Sequence, residues 1–499
     1  MPATRPAMLL LGIDLGSSAV KASLVDASSG QILAAAQSPQ TELPIAAPHP
    51  GWAEQDPETW WEHTALAIRA VCAGREASRI AAIGISYQMH GLVTLDADLR
   101  PVRPAIIWCD SRAVEIGERT FAELGAETCF SRLLNSPGNF TASKLRWVQQ
   151  NEPENFTRIR KIMLPGDYIA LRLTGEAQTT ASGLSEGTLW DFANDAPAEF
   201  LLRHWGIDST LLASLTPTFG KQAAVLGSVA RELGLPAGIP VAYRAGDQPN
   251  NAFSLNVLEP GEIAATGGTS GVVYGVSDRL AVDPQGRVNG FAHVNHRADA
   301  PRIGVLLCIN GTGILYAWLR RMLGANLSYA ELNALAADVP AGSAGLAVLP
   351  FGNGAERMLG NRRVGAQVLG LDFLQHGSGH LARAAQEGIA FAFSHGIAGM
   401  RATGLTPAKI RAGDANLFKS PVFRDTLAAT LGVPIELVST DGAAGAARGA
   451  GLGAGVFATP AESFAGLAVL ETIEPKPELV APCREAAARW EAALSKALA

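Results

Sequence analysis

The sequence predicts an α/β protein of at least two domains, and three observations carry that expectation. The chain has 499 residues, 48% hydrophobic and 17% charged, enough for more than one apolar core. Residues 9–21 read LLLGIDLGSSAVK, a strand, a glycine turn and the start of a second strand. Residues 261–277 read GEIAATGGTSGVVYGVS, the same pattern half a chain later, so two related halves are expected. With 53 glycines in the chain, one recurring turn says little, and the order of the elements around it says more.

In chain order, 8–14 reads as a buried strand, 16–18 as a tight turn, 20–26 as a returning strand and 31–37 as a third. A turn of Gly16, Ser17 and Ser18 presents several backbone N–H groups on one side. That is a cradle for phosphate oxygens, with Asp14 near enough to hold a hydrated Mg²⁺ and Lys21 to add positive charge. The same Asp and Ser side chains also satisfy turn amides in any D-x-G-S. No G-x-x-x-x-G-K-[ST] occurs in the sequence, so a nucleotide bound here would not be held by a P-loop. DPETWWEH at 56–63 starts a helix, with Asp56 as cap, Pro57 at its first position and Trp60 and Trp61 as core residues.

The strand predicted over 83–86 runs into Gln88, Met89 and His90. Two of these, with Asp110 further on, bring the donors and acceptors a polyhydroxylated molecule needs, and Met89 can lie against its carbon face. A histidine at a strand end also serves as an ordinary satisfied core residue. The apolar run 239–245 leads into Gly246-Asp247 and a helix expected over 250–258, which aims the Asp247 carboxylate from a strand end. A Gly-Asp before a helix equally reads as an N-cap. STDGAAGAARGAGLGAG at 439–455 permits close backbone approach to a flat ligand or to another element. Residues 483–499 alternate charged and apolar positions at helical spacing, for a terminal helix packed on the second domain or on a second copy in a homodimer.

A net charge of −6 gives no basic field for nucleic acid or an anionic membrane. No segment approaches 18 uninterrupted apolar residues, and the run at 8–13 is too short for a signal sequence. Five scattered cysteines without a CxxC pair fit a reducing compartment, so a cytoplasmic protein is expected.

DLGSSAVK (14–21), GISYQMHG (84–91), IIWCDSR (106–112), FTASKLRWV (140–148), LPGDY (164–168), GDQPNNAF (246–253) and GGTSG (267–271) together resemble the FGGY family of carbohydrate kinases, in that family's order. Within it, 88–91 and GWAEQDPETWW (51–61) are most similar to the branch acting on D-xylulose. The resemblance implies two ribonuclease H-like domains of the actin, hexokinase and Hsp70 ATPase type with a deep interdomain cleft. It places the sugar-binding domain at 1–254, the ATP-binding domain at 255–482 and a C-terminal helix at 483–499. It implies ATP and Mg²⁺, with Asp247 as catalytic base, Asp14 beside metal and phosphates, and both as metal ligands. Gln88, Met89 and His90 match the ketose contacts, and Asp110 and Arg112 a segment beside the sugar. Gly16, Ser17, Ser18, Lys21, Gly268, Thr269, Gly413, Asp414 and Asn416 match nucleotide contacts. Two segments depart from the family pattern. Ala412-Gly413-Asp414 stands where most relatives have three glycines, and the Thr-Pro usual after Glu356-Arg357 is absent.

These readings imply transfer of phosphate from ATP to a ketopentose, D-xylulose giving D-xylulose 5-phosphate. Another sugar, sugar acid or polyol on the same machinery, an actin-like or chaperone-like ATPase, and a non-catalytic sugar sensor are the rivals. The second lacks an appended peptide-binding segment, and the third is disfavoured by Asp14, Asp247 and Thr269. Closure about a hinge near Pro260-Gly261 is expected to keep water from the reacting centre.

Overall fold

The computed structural model describes residues 8–324 and 327–499; residues 1–7 of the expected first domain lie outside them. The chain forms two compact units. In the first, β1 (Leu9–Leu15), β2 (Val20–Asp26), β3 (Ile32–Ser38), β4 (Ile80–Tyr87), β5 (Phe219–Ala224) and β6 (Pro240–Gly246) make one sheet in the order β5-β6-β4-β1-β2-β3. β1, β4 and β6 are parallel neighbours, and the β1–β2–β3 meander and β5 are antiparallel.

The run LLLGIDL is apolar throughout because both faces of its strand are covered. Leu9, Leu11, Ile13 and Leu15 join a core with Trp60 and Ile68 of α1 (Pro57–Cys72), while Leu10 packs on the opposite face. Asp56 caps α1 by accepting from the Glu58 N–H at 2.9 Å, with Pro57 in the first turn, as its sequence predicts. Trp60 is fully buried, a contribution of about 2–3 kcal/mol, and its indole N–H donates to Gln55 at 3.0 Å. Three further helices place site residues: α2 (Thr141–Asn151), α3 (Ala181–Glu186) and α4 (Asp247–Ser254).

In the second unit β7 (Glu262–Gly267), β8 (Gly271–Ser277), β9 (Ile303–Ile309), β10 (Lys409–Gly413), β11 (Ile435–Val438) and β12 (Val469–Ile473) follow the order β9-β8-β7-β10-β11-β12. The hairpin β7–β8 is antiparallel, β7–β10 and β10–β11 are parallel, and β12 is antiparallel. Each sheet therefore has a glycine hairpin followed by parallel strands and an antiparallel edge, the two related halves expected from the recurring turn. α5 (Gly313–Leu323) follows β9.

The units are not consecutive pieces of chain. The first runs to Asn256 and also takes in Phe291–Ile303 and Thr440–Leu467, where the sequence suggested a single crossing after 254. The cause is α6 (Gly442–Gly453), whose Ala444, Ala447 and Ala450 join Leu10, Ala82 and Ala242 in one core. A Cβ on Gly12 of β1 or Gly84 of β4 would strike the carbonyls of Ala443 or Ala446, so helix backbone lies directly on strand backbone. The small residues of 439–455 serve that approach. The terminal helix α7 spans Pro477–Leu498, beginning earlier than the expected 483. Its Cys483, Trp490 and Leu494 are buried, and the Trp490 indole donates to the Val348 carbonyl at 2.8 Å within the second unit.

Candidate active site

The carboxyl ends of β1, β4 and β6 lie side by side, and each delivers a polar group. β1 carries Asp14 next to its last residue, β4 leads into Gln88, and β6 stops at Gly246, after which Asp247 is the first residue of α4. Parallel strands that end together bring residues far apart in sequence to one edge of the sheet. The Gly246 N-cap position makes Asp247 the opening helical residue with no side-chain cap bond. The N-cap reading therefore fails, and α4 starts and ends earlier than 250–258.

Asp14, Gly16, Ser17, Ser18, Lys21, Gln88 and Asp247 all line a cavity of about 440 Å³ in the first unit. The turn closes through the Gly16 N–H donating to the Ala19 carbonyl at 3.0 Å. Lys21 stands opposite Asp14 across the hairpin, and Ser86, its neighbour on β4, donates to Asp14 Oδ1 at 2.7 Å. The sequence reading missed Gln37, Gln40, Thr41, Glu42 and Trp108, which complete the wall. Trp108 lies inside the quoted IIWCDSR stretch, whereas 37–42 carries no motif.

Asp14 and Asp247 are half-buried at this edge. Burial raises the Asp14 carboxyl above its usual range, opposed by the Ser86 hydrogen bond and Lys21 and reinforced by Asp441. Burial, then the Asp14 charge, raises Asp247 to about 7, against the N–H groups of Gln248 and its own residue. Two carboxyls that penalise one another are relieved by a shared cation, so the donor set fits a hard ion such as Mg²⁺ completed by phosphate oxygens. Among the described residues no three His, Cys, Asp or Glu side chains form a metal cluster of their own.

The 88–91 segment is held beside this cavity. Gln88 donates to Gln55 Oε1 at 3.2 Å, and its own Oε1 is buried without a partner. Met89 is buried. His90 adopts φ 62°, a strained value for a residue with a Cβ. Its ring lies against Phe140 and Phe291, and its Nδ1 hydrogen-bonds the Glu186 carbonyl at 2.9 Å. Lys144 of α2, fully buried, donates to the carbonyls of His90 at 2.8 Å and Ile107 at 3.0 Å. Burial lowers its ammonium to about 7, with Asp110 the strongest opposing charge.

Asp110 and Arg112 are placed differently. Asp110 accepts from the Ala53 N–H at 2.6 Å and from Arg112, which also pairs with Glu54 at 2.7 Å and stacks over Trp52 at 3.7 Å. Both side chains are consumed by this buried network and neither lines the cavity.

In the second unit Gly268 and Thr269 form the turn between β7 and β8. Their carbonyls accept from Gly313 N–H at 3.1 Å and Ile314 N–H at 3.0 Å at the start of α5. Gly268 lies beside the Asn416 amide. Asn416, at φ 53°, follows Gly413 and Asp414 at the end of β10, next to β7. These five residues thus gather around one hairpin turn. Glu356 of the second departing segment accepts from the Asn310 and Gly311 N–H groups. The five cysteines are free thiols, and no helix among the described residues is long and apolar enough to cross a membrane.

Known proteins extend this picture. Residues 9–254 match the N-terminal domain and residues 263–457 the C-terminal domain of the FGGY family of carbohydrate kinases. A xylulose kinase from Escherichia coli (strain K12) is 32% identical over 460 residues, covering 91% of each chain. A solved structure described as a xyloylose kinase from Brucella ovis aligns at TM-score 0.87 and 30% identity, over 98% of this chain and 99% of the other. A gluconate kinase from Lactobacillus acidophilus shares the fold at TM-score 0.88 and 22% identity, over 99% of each chain. With both of its domains matched and a relative aligned over nine-tenths of its length, the chain belongs to the FGGY family of carbohydrate kinases.

Proposed function

We propose that this carbohydrate kinase transfers the γ-phosphoryl group of ATP to D-xylulose, giving D-xylulose 5-phosphate and ADP, in the cytoplasm. The observation that carries the reading is Asp247, a half-buried carboxyl raised to about 7 that shares one cavity with Gln88 and Asp14. The relatives named xylulose kinase support the choice of sugar. Phosphoryl transfer needs little covalent chemistry from the protein, chiefly alignment and charge neutralisation. Asp247 takes the proton of the acceptor hydroxyl as its oxygen bonds to the γ-phosphorus, and the bond to the β,γ-bridging oxygen breaks to release ADP. Gln88, Met89 and His90 hold the sugar, with Asp110 and Arg112 supporting that segment. Gly16, Ser17, Ser18 and Lys21 meet phosphate oxygens, and Gly268, Thr269, Gly413, Asp414 and Asn416 hold the nucleotide. Asp14 and Asp247 would hold Mg²⁺, which when bound neutralises charge on the transferring group.

ADP formation from Mg-ATP is measured with D-xylulose, L-ribulose, L-xylulose, gluconate, tetritols and no acceptor. Selective stimulation by D-xylulose is expected. Greater stimulation by another acceptor removes the sugar assignment and keeps the mechanism; stimulation by none removes both.

A further inference from the structure

Glu186 ends α3 with 2% of its surface exposed. The Tyr87 hydroxyl is close enough to act on its carboxyl, and neither group has a partner in good hydrogen-bond geometry. Gly246, the residue before Asp247, lies directly against it. A Cβ built on Gly246 would stand 2.6 Å from Glu186 Oε2 and 2.5 Å from Met89 Cγ. On its main-chain side the same residue receives His90 Nδ1 at 2.9 Å. One buried residue therefore touches both the strand end that carries the base and the strained segment assigned to the sugar.

A buried charged carboxylate without donors costs several kcal/mol, and an unpartnered buried polar group is retained only where something offsets it. A leucine or methionine would fill the same space without that penalty. We propose that Glu186 is a positioning residue of the kinase site: its carbonyl fixes the His90 imidazole while its buried side chain backs Gly246 and Met89, setting the spacing between acceptor and base. The side chain acts through its size and its polar head, beside the Tyr87 hydroxyl. This rests on the reading that 88–91 binds the sugar and Asp247 is the base.

The test measures KM for the best acceptor, KM for ATP, kcat and Tm in Glu186→Ala, Glu186→Gln, Gly246→Ala and His90→Ala, each as the full chain. Displacing a reactive pair by a fraction of an ångström lowers kcat/KM by about ten- to a hundredfold. Glu186→Ala is expected to raise the sugar KM about tenfold with the ATP KM within about twofold. Glu186→Gln, uncharged and of equal size, should recover most of the loss, a rescue that a need for carboxylate charge would not predict. Gly246→Ala presses on the same contact from the other side without altering Glu186, and must raise the sugar KM even if Glu186→Ala does not fold. A Glu186→Ala sugar KM equal to wild type, a Glu186→Gln no better than Ala, or a Gly246→Ala without effect each overturns the proposal. If His90→Ala leaves the sugar KM unchanged, the reading it rests on has failed; if His90→Ala raises it and Glu186→Ala does not, only the role of Glu186 has.

Discussion

The two glycine hairpins of this chain are built alike and equipped differently. The β1–β2 turn follows a strand with a carboxylate next to its last residue, with a serine hydroxyl on one side and a lysine on the other, and opens on a cavity. The β7–β8 turn carries no charged side chain between Gly267 and Gly271, and its carbonyls are pinned from behind by the first N–H groups of α5. One backbone device thus serves two ends: the first hairpin brings charge to a site, and the second holds an outline. Removing charge should injure the first, and adding a methyl group should injure the second.

The largest effect is expected at the acids. Asp247→Asn and Asp14→Asn should each lower kcat by about 10²–10⁴, with sugar binding by Asp247→Asn close to wild type; near-normal turnover would remove the base assignment. Asp247→Asn has a thermal signature as well. The native carboxyl titrates near 7 against an ordinary 3.8, so its contribution to stability is full below about pH 4 and is lost as pH rises through about 7. The asparagine variant stays neutral, so its Tm should match the wild-type value near pH 4, exceed it increasingly between about pH 4 and 7, and keep a constant margin above that.

Next comes Gly313→Ala. Its Cβ would meet the Gly268 carbonyl, a backbone atom that cannot swing aside. A loss of about 1–3 kcal/mol in stability and a rise of about tenfold in the ATP KM are expected, with the sugar KM nearly constant. A sugar KM that rose equally would show that the second turn does not act on the nucleotide alone. The pH profile is a subtler test. Asp247 must lose its proton to act, and burial raises it to about 7. kcat/KM for the sugar should therefore show an acid limb near neutrality, and a profile flat from about pH 5 to 8 would remove Asp247 as the base. The smallest effect is expected from Gly16→Ala, whose Cβ would come 3.2 Å from the Ala19 carbonyl, with φ outside the left-handed region. A loss of about two- to threefold fits a turn with room to adjust.

The hairpins were legible because largely apolar strands of six or seven residues around Gly-Ser or Gly-Thr turns have few other solutions, and Asp247 because a strand-to-helix junction displays its first side chain. α1 was legible from Asp56 and Pro57. What stayed hidden depends on contacts between distant segments. Nothing in SEGTLWDF marks Glu186 as the residue behind Gly246, because its burial is set by α3 and the 88–91 segment together. The membership of α6 was hidden likewise: alanines and glycines at helical spacing state that something comes close, and only Gly12 and Gly84 of the partner strands say what. The Asp110–Arg112 pair showed how a motif can sit beside a site while its side chains are spent on Glu54 and Trp52.

The placement of α6 also bears on biosynthesis. A helix at Gly442–Gly453 covers one face of the sheet laid down by strands from Leu9 onward, so that face stays bare until the chain through Gly453 has left the ribosome. Long-range closure of this kind is slow and leaves apolar surface open to aggregation in the interval. A nascent chain stalled before residue 440 should bind chaperones and resist solubilisation. The order of translation thus leaves the first unit, begun with β1, unfinished until Thr440–Leu467 has been made.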